Sequence, residues 1–234
     1  MGELTTIAFD ADDTLWQNEQ FFRLTETRFF ELLDSHVDVP IAAERLLATE
    51  KRNLEFYGYG IKGFTLSMIE TALEITEGRI EAAAISEILS LGRTMLRHPV
   101  QTLPGVEDTL QALSGSYRLL LITKGDLFDQ ERKLAQSGLG ELFDNVEIVS
   151  DKTTETYRRI FRQHGEGAEQ SMMIGNSLKS DIIPALEAGC WGVYVPHALT
   201  WAVEHAEEPA DHPRFRKTER LDGVLDLLRS IEQQ

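Results

Sequence analysis

The sequence contains few of the features that mark secreted, membrane or nucleic-acid-binding proteins. Its 234 residues include one cysteine, Cys190, so no intrachain disulfide can form. No apolar run approaches the roughly 18 residues that a membrane-spanning helix needs, and the N-terminal residues show no basic segment followed by an apolar one. We therefore expect a cytoplasmic protein that does not enter a membrane.

Basic residues are also scarce. The chain has 23 Lys and Arg against 39 Asp and Glu, which gives a formal net charge of −16. Because nucleic-acid polymers are bound through stripes of Lys and Arg, this balance argues against them as partners. The hydrophobic content of 42% supports a sizeable core, and the length allows one large domain with a modest second one. The sequence leaves open whether the protein is a monomer or a homodimer.

Acidic residues cluster most densely near the N-terminus, where residues 9–15 read FDADDTL. The preceding hydrophobic run, Leu4–Phe9, predicts a buried strand that ends in three carboxylates within four positions. Asp10 and Asp12 are two residues apart, so in extended backbone both lean to the same side. Two such charges repel, and each raises the pKa of the other unless a cation or a basic side chain lies between them. The spacing therefore favours a divalent metal, and oxygen ligands point to Mg²⁺. The alternative is a solvated turn in which Asp13 caps the following segment.

The chain from residue 19 to residue 98 has a purely helical pattern. Apolar residues recur there at helical spacing, and no strand signal interrupts them. The pattern predicts a small helical bundle inserted into another domain. The four predicted helices span 19–36, 40–56, 63–77 and 79–97.

One irregular stretch, residues 57–64, separates the second and third of these helices. It contains three glycines, together with Tyr57, Tyr59 and Lys62. A glycine-rich loop that carries aromatic side chains is often functional, although it can also be a simple connector. We expect these three side chains to contact a substrate.

After residue 104 the pattern changes to alternating strands and helices. Alternation of this kind predicts an α/β fold, namely a doubly wound, Rossmann-like parallel sheet with right-handed crossovers. The expected core domain comprises residues 1–15 and 100–234, and the helical domain comprises residues 16–99, with hinges near 16–18 and 99–103. The predicted strands after the first are 117–123, 145–149, 171–174 and 192–196, with a short sixth strand within 204–220. The predicted helices are 106–113, 126–137, 154–164, 178–188 and 221–232.

Polar residues follow four of the predicted strands. The carboxyl ends of parallel strands lie on one edge of the sheet, so these residues should converge. They are Asp10 and Asp12 after the first strand, Thr123, Lys124 and Gly125 after the second, Lys152 after the third, and Asn176 and Asp181 after the fourth. Carboxylates, a hydroxyl, lysines and free backbone N–H groups together predict a site for a metal ion and a phosphate.

On these residues the chain resembles the haloacid dehalogenase-like hydrolase superfamily. DADDT at 10–14 is similar to its first motif, Thr123 to the second, Lys152 to the third and GNSLKSD at 175–181 to the fourth. The resemblance covers the whole chain, and the inserted helices resemble the family's C1-type cap domain. These motifs are specific for the superfamily and say little about the substrate.

The resemblance implies a role for each of these residues. Asp10 would be the nucleophile that forms an aspartyl-phosphate, and Asp12 the general acid and then the base for water. Thr123, Lys152 and the N–H groups near Gly125 would stabilise the phosphoryl oxygens in the transition state.

The resemblance also implies a Mg²⁺ site. The ligands would be the Asp10 carboxylate, the backbone carbonyl of Asp12 and the fourth motif. That motif usually begins Gly-Asp, whereas this chain has Asn176, so one formal charge is missing. We therefore expect Asp181 to be the more direct metal ligand, with Asn176 as a second candidate.

Several other chemistries are compatible with the same core. Haloacid dehalogenases need no metal and lack the second aspartate, so Asp12 argues against that reaction. Phosphonate hydrolysis would need a cap lysine, for which Lys51 and Lys62 are candidates, and a phosphomutase would use the same core residues. Receiver-type signalling domains also gather acids, Thr and Lys on an α/β sheet, but they are about half this length. A catalytically silent binding module is the remaining alternative.

The reading that best fits these motifs is a Mg²⁺-dependent phosphomonoester hydrolase. Since a cap closes over the site and excludes bulky polymers, we expect a small phosphorylated metabolite as substrate. The residues expected to bind it are Lys124, Gly125, Tyr57, Tyr59 and Lys62.

Overall fold

A computed structural model describes residues 3–233 of the chain. Its contacts divide the chain into two compact units. Of these residues, the sheet unit comprises 3–17, Val100–Lys124 and 130–233. The helical unit comprises Asn18–Pro99 together with Gly125–Asp129. The last of these segments differs from the sequence-based expectation, which assigned it to the core domain.

The sheet unit contains six parallel strands in the order β3-β2-β1-β4-β5-β6. A hydrophobic first strand in the centre, with further strands added on both sides, is the doubly wound arrangement that the alternating pattern predicted. The strands are β1 (Thr6–Phe9), β2 (Arg118–Lys124), β3 (Asn145–Val149), β4 (Ser171–Gly175), β5 (Trp191–Tyr194) and β6 (Phe215–Lys217). The predicted fold class is therefore confirmed.

Both faces of the central strands are covered, which explains why they are continuously hydrophobic. Successive side chains point to opposite faces, so Ile7 and Phe9 join one buried cluster and Ala8 joins another. The first cluster also includes residues of the helices that begin at Val106 and Val224, and the second includes Tyr157 and Phe161. Burial on both faces fixes the register of β1, since a shift by one residue would exchange its two faces.

The helices of the sheet unit lie close to their predicted positions. They are α5 (Val106–Leu113), α6 (Leu127–Ser137), α7 (Thr154–His164), α8 (Ile183–Ala188) and α9 (Val224–Glu232), numbered after the four of the helical unit. The first three residues of α6 are counted with the helical unit. The predicted helix 178–188 is divided, because its first turn, Leu178–Ile182, is a π-helix. Leu221–Gly223, the start of the predicted last helix, is a 3₁₀ turn.

The helical unit consists mainly of four helices. These are α1 (Glu19–Leu33), α2 (Val39–Tyr57), α3 (Ile61–Ile75) and α4 (Ala82–Arg97). They enclose a core that includes Phe29, Phe64 and Ile88. Helices α3 and α4 approach closely at Gly92, where an added Cβ would lie 2.3 Å from the Thr65 hydroxyl. Within the described residues, none of the helices is both long and apolar enough to cross a membrane.

The glycine-rich connection between α2 and α3 is shorter than its sequence suggests. The prediction placed a loop at residues 57–64, but α2 continues through Tyr57 and α3 already begins at Ile61. Gly58 and Gly60 adopt positive φ values of 67° and 113°, which lets the chain reverse within three residues. Gly63 is helical, and a Cβ there would lie 2.9 Å from the Gly58 carbonyl oxygen. The glycines therefore allow a tight turn.

Candidate active site at the carboxyl edge of the sheet

The site of the sheet unit is built around Asp10. This residue directly follows β1, and its backbone N–H donates to the carbonyl of Ile174 in the neighbouring strand β4. Its side chain is only 9% exposed. Oδ1 accepts from the Lys152 ammonium at 2.5 Å, and Oδ2 accepts from the Thr14 hydroxyl at 2.9 Å. A buried carboxylate with a defined orientation is what a nucleophile at this position requires.

Lys152 joins Asp10 to a second buried carboxylate. Its ammonium also donates to Asp181 Oδ1 at 2.8 Å, while Asp181 Oδ2 accepts from the Ser177 backbone N–H at 2.9 Å. Both oxygens of Asp181 are therefore engaged within the protein. The predicted convergence of Asp10, Lys152 and Asp181 is present in the structure.

A glycine makes room for Asp181. A Cβ on Gly175 would lie 2.3 Å from Asp181 Oδ2 and 2.5 Å from its carboxyl carbon. The π-helical turn that follows adds one residue per turn relative to an α-helix, and such turns are frequent at functional sites. Asp181 lies within this turn and is 1% exposed. Gly175 and the π-turn together accommodate its carboxylate beneath the strand end.

In the metal-free protein, the surroundings of Asp10 destabilise its ionised form. Burial raises the pKa of Asp10 and the charge of Asp181 raises it further, while Lys152 opposes both, with a net pKa of about 7. For Lys152, burial would lower the pKa, but the Asp10 and Asp181 carboxylates outweigh it and hold the ammonium charged. A cation beside Asp10 would favour its ionised form.

Asp12 has a separate set of partners. Its carboxylate accepts from the Lys133 ammonium at 2.8 and 3.1 Å, from the Gln130 amide at 2.8 Å and from the Trp16 indole N–H at 2.7 Å. Burial would raise the pKa of Asp12, but Lys133 and the other donors outweigh it, and the pKa lies below its ordinary value. Asp12 and Asp10 thus have opposite pKa shifts, although they are two residues apart.

Oxygen atoms converge between Asp10, Asp12 and Asn176. One terminal atom of the Asn176 amide lies 3.1 Å from the Asp12 carbonyl oxygen and 3.2 Å from both Asp10 Oδ2 and Thr14 Oγ1. If this atom is the amide nitrogen, it donates to these oxygens. If it is the amide oxygen, it faces a carboxylate and a carbonyl as a cation ligand would. This donor set of carboxylate, carbonyl and amide oxygens suits Mg²⁺.

Among residues 3–233, no group of three or more His, Cys, Asp or Glu side chains is arranged to hold a metal ion. A cation at the strand ends would therefore depend on the Asp12 backbone carbonyl and the Asn176 amide as well as on Asp10.

The second predicted motif, Thr123, and the lysine that follows it lie at the end of β2. Thr123 is buried near the end of β2, paired with Ile148 of β3. The neighbouring Lys124 ammonium donates to Ser180 Oγ and to Glu204, each at 2.6 Å. The side chain of Lys124 is therefore engaged by residues from two later parts of the chain.

The remaining predicted substrate contacts belong to the helical unit. Lys62 donates to both carboxylate oxygens of Asp126 at 2.9 Å, and the Tyr57 hydroxyl donates to Glu70 at 2.9 Å. Tyr59 lies in the short connection between α2 and α3, and Gly125 belongs to this unit through its contacts. Their contact with a substrate stays a prediction.

Four residues of the site were not identified from the sequence. Gln130 and Lys133 lie three residues apart on α6, so both side chains reach Asp12 from one face of the helix. Trp16 lies four residues after Asp12, and Glu204 lies in a segment that reads as a polar loop. Helical spacing could have suggested the first pair, but nothing near Glu204 in the sequence points to the site.

Comparison with known proteins connects this geometry to a family. A model of the haloacid dehalogenase-like hydrolases matches residues 4–189. A solved haloacid dehalogenase-like family hydrolase from Xanthomonas campestris is 44% identical, with a TM-score of 0.89, over 99% of this chain and 93% of its own.

Curated proteins of known activity are more distant relatives. Glyceraldehyde 3-phosphate phosphatase of Methanothermobacter thermautotrophicus is 26% identical over 88% of this chain and 92% of its own length. Pyrimidine 5'-nucleotidase PynA of Streptococcus pneumoniae is 37% identical over 57% of this chain and 55% of its own. Both named activities concern phosphorylated small molecules.

Proposed function

Since this chain belongs to the haloacid dehalogenase-like hydrolases, we propose that it is a Mg²⁺-dependent hydrolase of phosphomonoesters that acts through an aspartyl-phosphate. The observation that carries the proposal is the pair of carboxylates after β1. Asp10 is held by Lys152 beside a cluster of oxygens, and Asp12 is held by Lys133. This arrangement supports the roles that we propose, with Asp10 as nucleophile and Asp12 as a separate acid–base group.

The first chemical step uses both carboxylates. A carboxylate oxygen of Asp10 attacks phosphorus, the bond from phosphorus to the ester oxygen breaks, and the Asp12 carboxyl group protonates the departing oxygen. Lys152 places a positive charge within 2.5 Å of Asp10, so negative charge that develops on the phosphoryl group is stabilised nearby.

The second step returns the enzyme to its starting state. Asp12, now ionised, removes a proton from water, which attacks phosphorus and releases inorganic phosphate and free Asp10. The pKa of Asp12 lies below its ordinary value because Lys133 and its other hydrogen bonds outweigh burial. Asp12 is thus ionised at neutral pH, as a base must be, and it has to gain a proton before it serves as the acid.

Asp10, the Asp12 carbonyl and Asn176 would hold Mg²⁺ in this proposal. When bound, Mg²⁺ would neutralise phosphate oxygens and keep Asp10 ionised. We assign Asp181 a supporting role, which reverses the sequence-based expectation. Its two oxygens already accept from Lys152 and Ser177, whereas Asn176 faces Asp10 and Asp12.

A small phosphorylated metabolite is the substrate class that we propose. The named activities of the curated relatives support it, since one acts on a triose phosphate and another on pyrimidine nucleotides. We favour phosphate ester hydrolysis over dehalogenation because Asp12 lies in the site with a dedicated set of donors. A phosphonate hydrolase would need a cap lysine at the substrate. Of the two candidates, Lys62 pairs with Asp126 and Lys51 is exposed on α2.

The test is hydrolysis of p-nitrophenyl phosphate, followed by a panel of sugar phosphates and nucleotides. We expect the wild type to release phosphate with Mg²⁺ and to lose activity in EDTA. Asp12→Asn should reduce turnover by about 100-fold or more, since it removes the acid and base. A metal-independent wild type, or an Asp12→Asn variant of full activity, would contradict the proposal.

A further inference from the structure

Glu204 brings an additional carboxylate to the edge of the sheet. It ends the 3₁₀ turn Ala202–Glu204, which follows β5 in an otherwise irregular segment. Its Oε1 accepts from the Lys124 ammonium at 2.6 Å, and its Oε2 accepts from the Ser177 and Ser180 hydroxyls at 2.5 Å each. The Glu204 side chain is 12% exposed, so these bonds are largely shielded from water.

The three partners of Glu204 belong to two different strand ends. Lys124 directly follows Thr123 at the end of β2. Ser177 directly follows Asn176, and Ser180 directly precedes Asp181, so both lie in the fourth motif. Glu204 therefore links the end of β2 to the loop that carries Asn176 and Asp181.

The contacts form a closed network. Lys124 donates to Ser180 Oγ as well as to Glu204, and Ser177 Oγ accepts from the backbone N–H of Ser180 at 3.0 Å. Because that oxygen accepts from the backbone, its own proton is directed to Glu204. In addition, the Lys179 ammonium donates to the Val203 carbonyl at 2.9 Å, which attaches the same segment to the π-turn a second time.

We propose that Glu204 is a positioning residue for the reaction described above. By joining Lys124, Ser177 and Ser180, it fixes the loop after β4, so that Asn176 and Asp181 stay aligned with Asp10. It also neutralises Lys124, which gives that lysine a supporting role in place of the substrate contact expected from the sequence. The inference rests on the proposed function, but it can be tested without any substrate.

The decisive comparison uses two variants of Glu204 and one control. Glu204→Ala removes the link. Glu204→Gln keeps the side-chain length and an oxygen that accepts from Lys124, but its amide nitrogen cannot accept from the Ser177 and Ser180 hydroxyls, so it removes part of the link. Glu207→Ala removes an exposed carboxylate from the same segment and serves as the matched control. Circular dichroism and thermal melting establish that each variant is folded.

The first measurement is amide hydrogen exchange of residues 175–182 in the metal-free proteins. We expect Glu204→Ala to exchange at least tenfold faster there than the wild type, Glu204→Gln to lie between the two, and Glu207→Ala to stay within threefold of the wild type. Unchanged exchange in Glu204→Ala, or equally fast exchange in Glu207→Ala, would overturn the proposal. This readout is independent of metal and ester, so it remains decisive even if the wild type proves to hydrolyse nothing.

The second measurement is kinetic. With an ester that the wild type hydrolyses, Glu204→Ala should lower kcat at least tenfold while KM changes less than threefold, because the residue acts on the catalytic loop. Glu204→Gln should show a smaller loss of kcat than Glu204→Ala, because it keeps the oxygen that accepts from Lys124. A change confined to KM would assign Lys124 and Glu204 to substrate binding and overturn the positioning role.

Discussion

At the scale of single residues, the carboxylates of the site are organised by lysines. Each carboxylate described at the strand ends contacts a lysine ammonium group from another part of the chain. The pairs are Asp10 and Asp181 with Lys152, Asp12 with Lys133, and Glu204 with Lys124. Positive groups are scarce in this acidic protein, and these three lysines lie where carboxylates are buried. Their charges offset the cost of burying the carboxylates.

The raised pKa of Asp10 predicts a stability effect that depends on pH. The folded-state pKa is about 7 and the ordinary value is 3.8, so this group stabilises the fold fully at low pH and the contribution is lost as pH rises through 7. Asp10→Asn removes the buried charge. In EDTA near pH 8 the variant should be more stable than the wild type by roughly 1–3 kcal/mol.

Urea denaturation at several pH values tests this prediction. The difference between Asp10→Asn and wild type should narrow toward about pH 5, where more of the folded wild type carries a proton on Asp10. A variant less stable than wild type near pH 8 would contradict it. The same variant should show no measurable turnover, since it lacks the nucleophile that we propose.

Lys133 should affect catalysis through Asp12. Lys133→Met removes the cation that contacts both Asp12 oxygens. We expect kcat to fall by about 10- to 100-fold with KM nearly unchanged, a magnitude typical of disturbed acid–base catalysis. Steady-state kinetics beside Arg162→Met, an exposed cation on α7, provides the comparison. Equal kcat values in wild type and Lys133→Met would refute this role.

At the scale of elements, the loop after β4 is the most constrained part of the site. It combines a glycine at the strand end, a serine N-cap and a π-turn. Ser177 Oγ accepts from the Ser180 backbone N–H, as an N-cap does. The constraint suits a loop that must present Asn176 and Asp181 in fixed positions.

Gly175→Ala tests this constraint directly. The new Cβ would overlap the Asp181 carboxylate, and overpacking of this kind usually costs about 1–3 kcal/mol. We expect a loss of that size in the free energy of unfolding, together with reduced turnover. Gly140→Ala is the control, because its Cβ would come no closer than 3.9 Å to a neighbouring side chain. Equal stability of the two variants would show that Asp181 can move aside.

At the scale of the whole molecule, the negative net charge favours binding of the divalent cation that we propose. The chain carries a formal net charge of −16, and the four carboxylates at the strand ends outnumber their three lysine partners. Ligands that bind only the folded state stabilise it.

Millimolar MgCl₂ should therefore raise the Tm by about 3 °C or more, as thermal denaturation can show. NaCl of equal ionic strength should raise the Tm less, and Asn176→Ala should lower the Mg²⁺ effect. An Asn176→Ala variant with the full Mg²⁺ shift would contradict the assignment of this amide as a ligand.

The sequence by itself determined the α/β class, the four helices of the helical unit and the identity of the strand-end residues. These follow from local signals, since hydrophobic periodicity sets the elements and parallel topology brings their carboxyl ends together. The convergence of Asp10, Lys152 and Asp181 could be predicted for this reason.

Only the tertiary structure decided how these residues are used. Lys133 and Glu204 are 121 and 27 residues from the carboxylate or serine that they contact, so no local pattern records the pairing. The bond between Asp181 and Lys152, 29 residues away, is a further pairing of this kind. Such outcomes depend on which groups are buried together, and burial is a property of the folded chain.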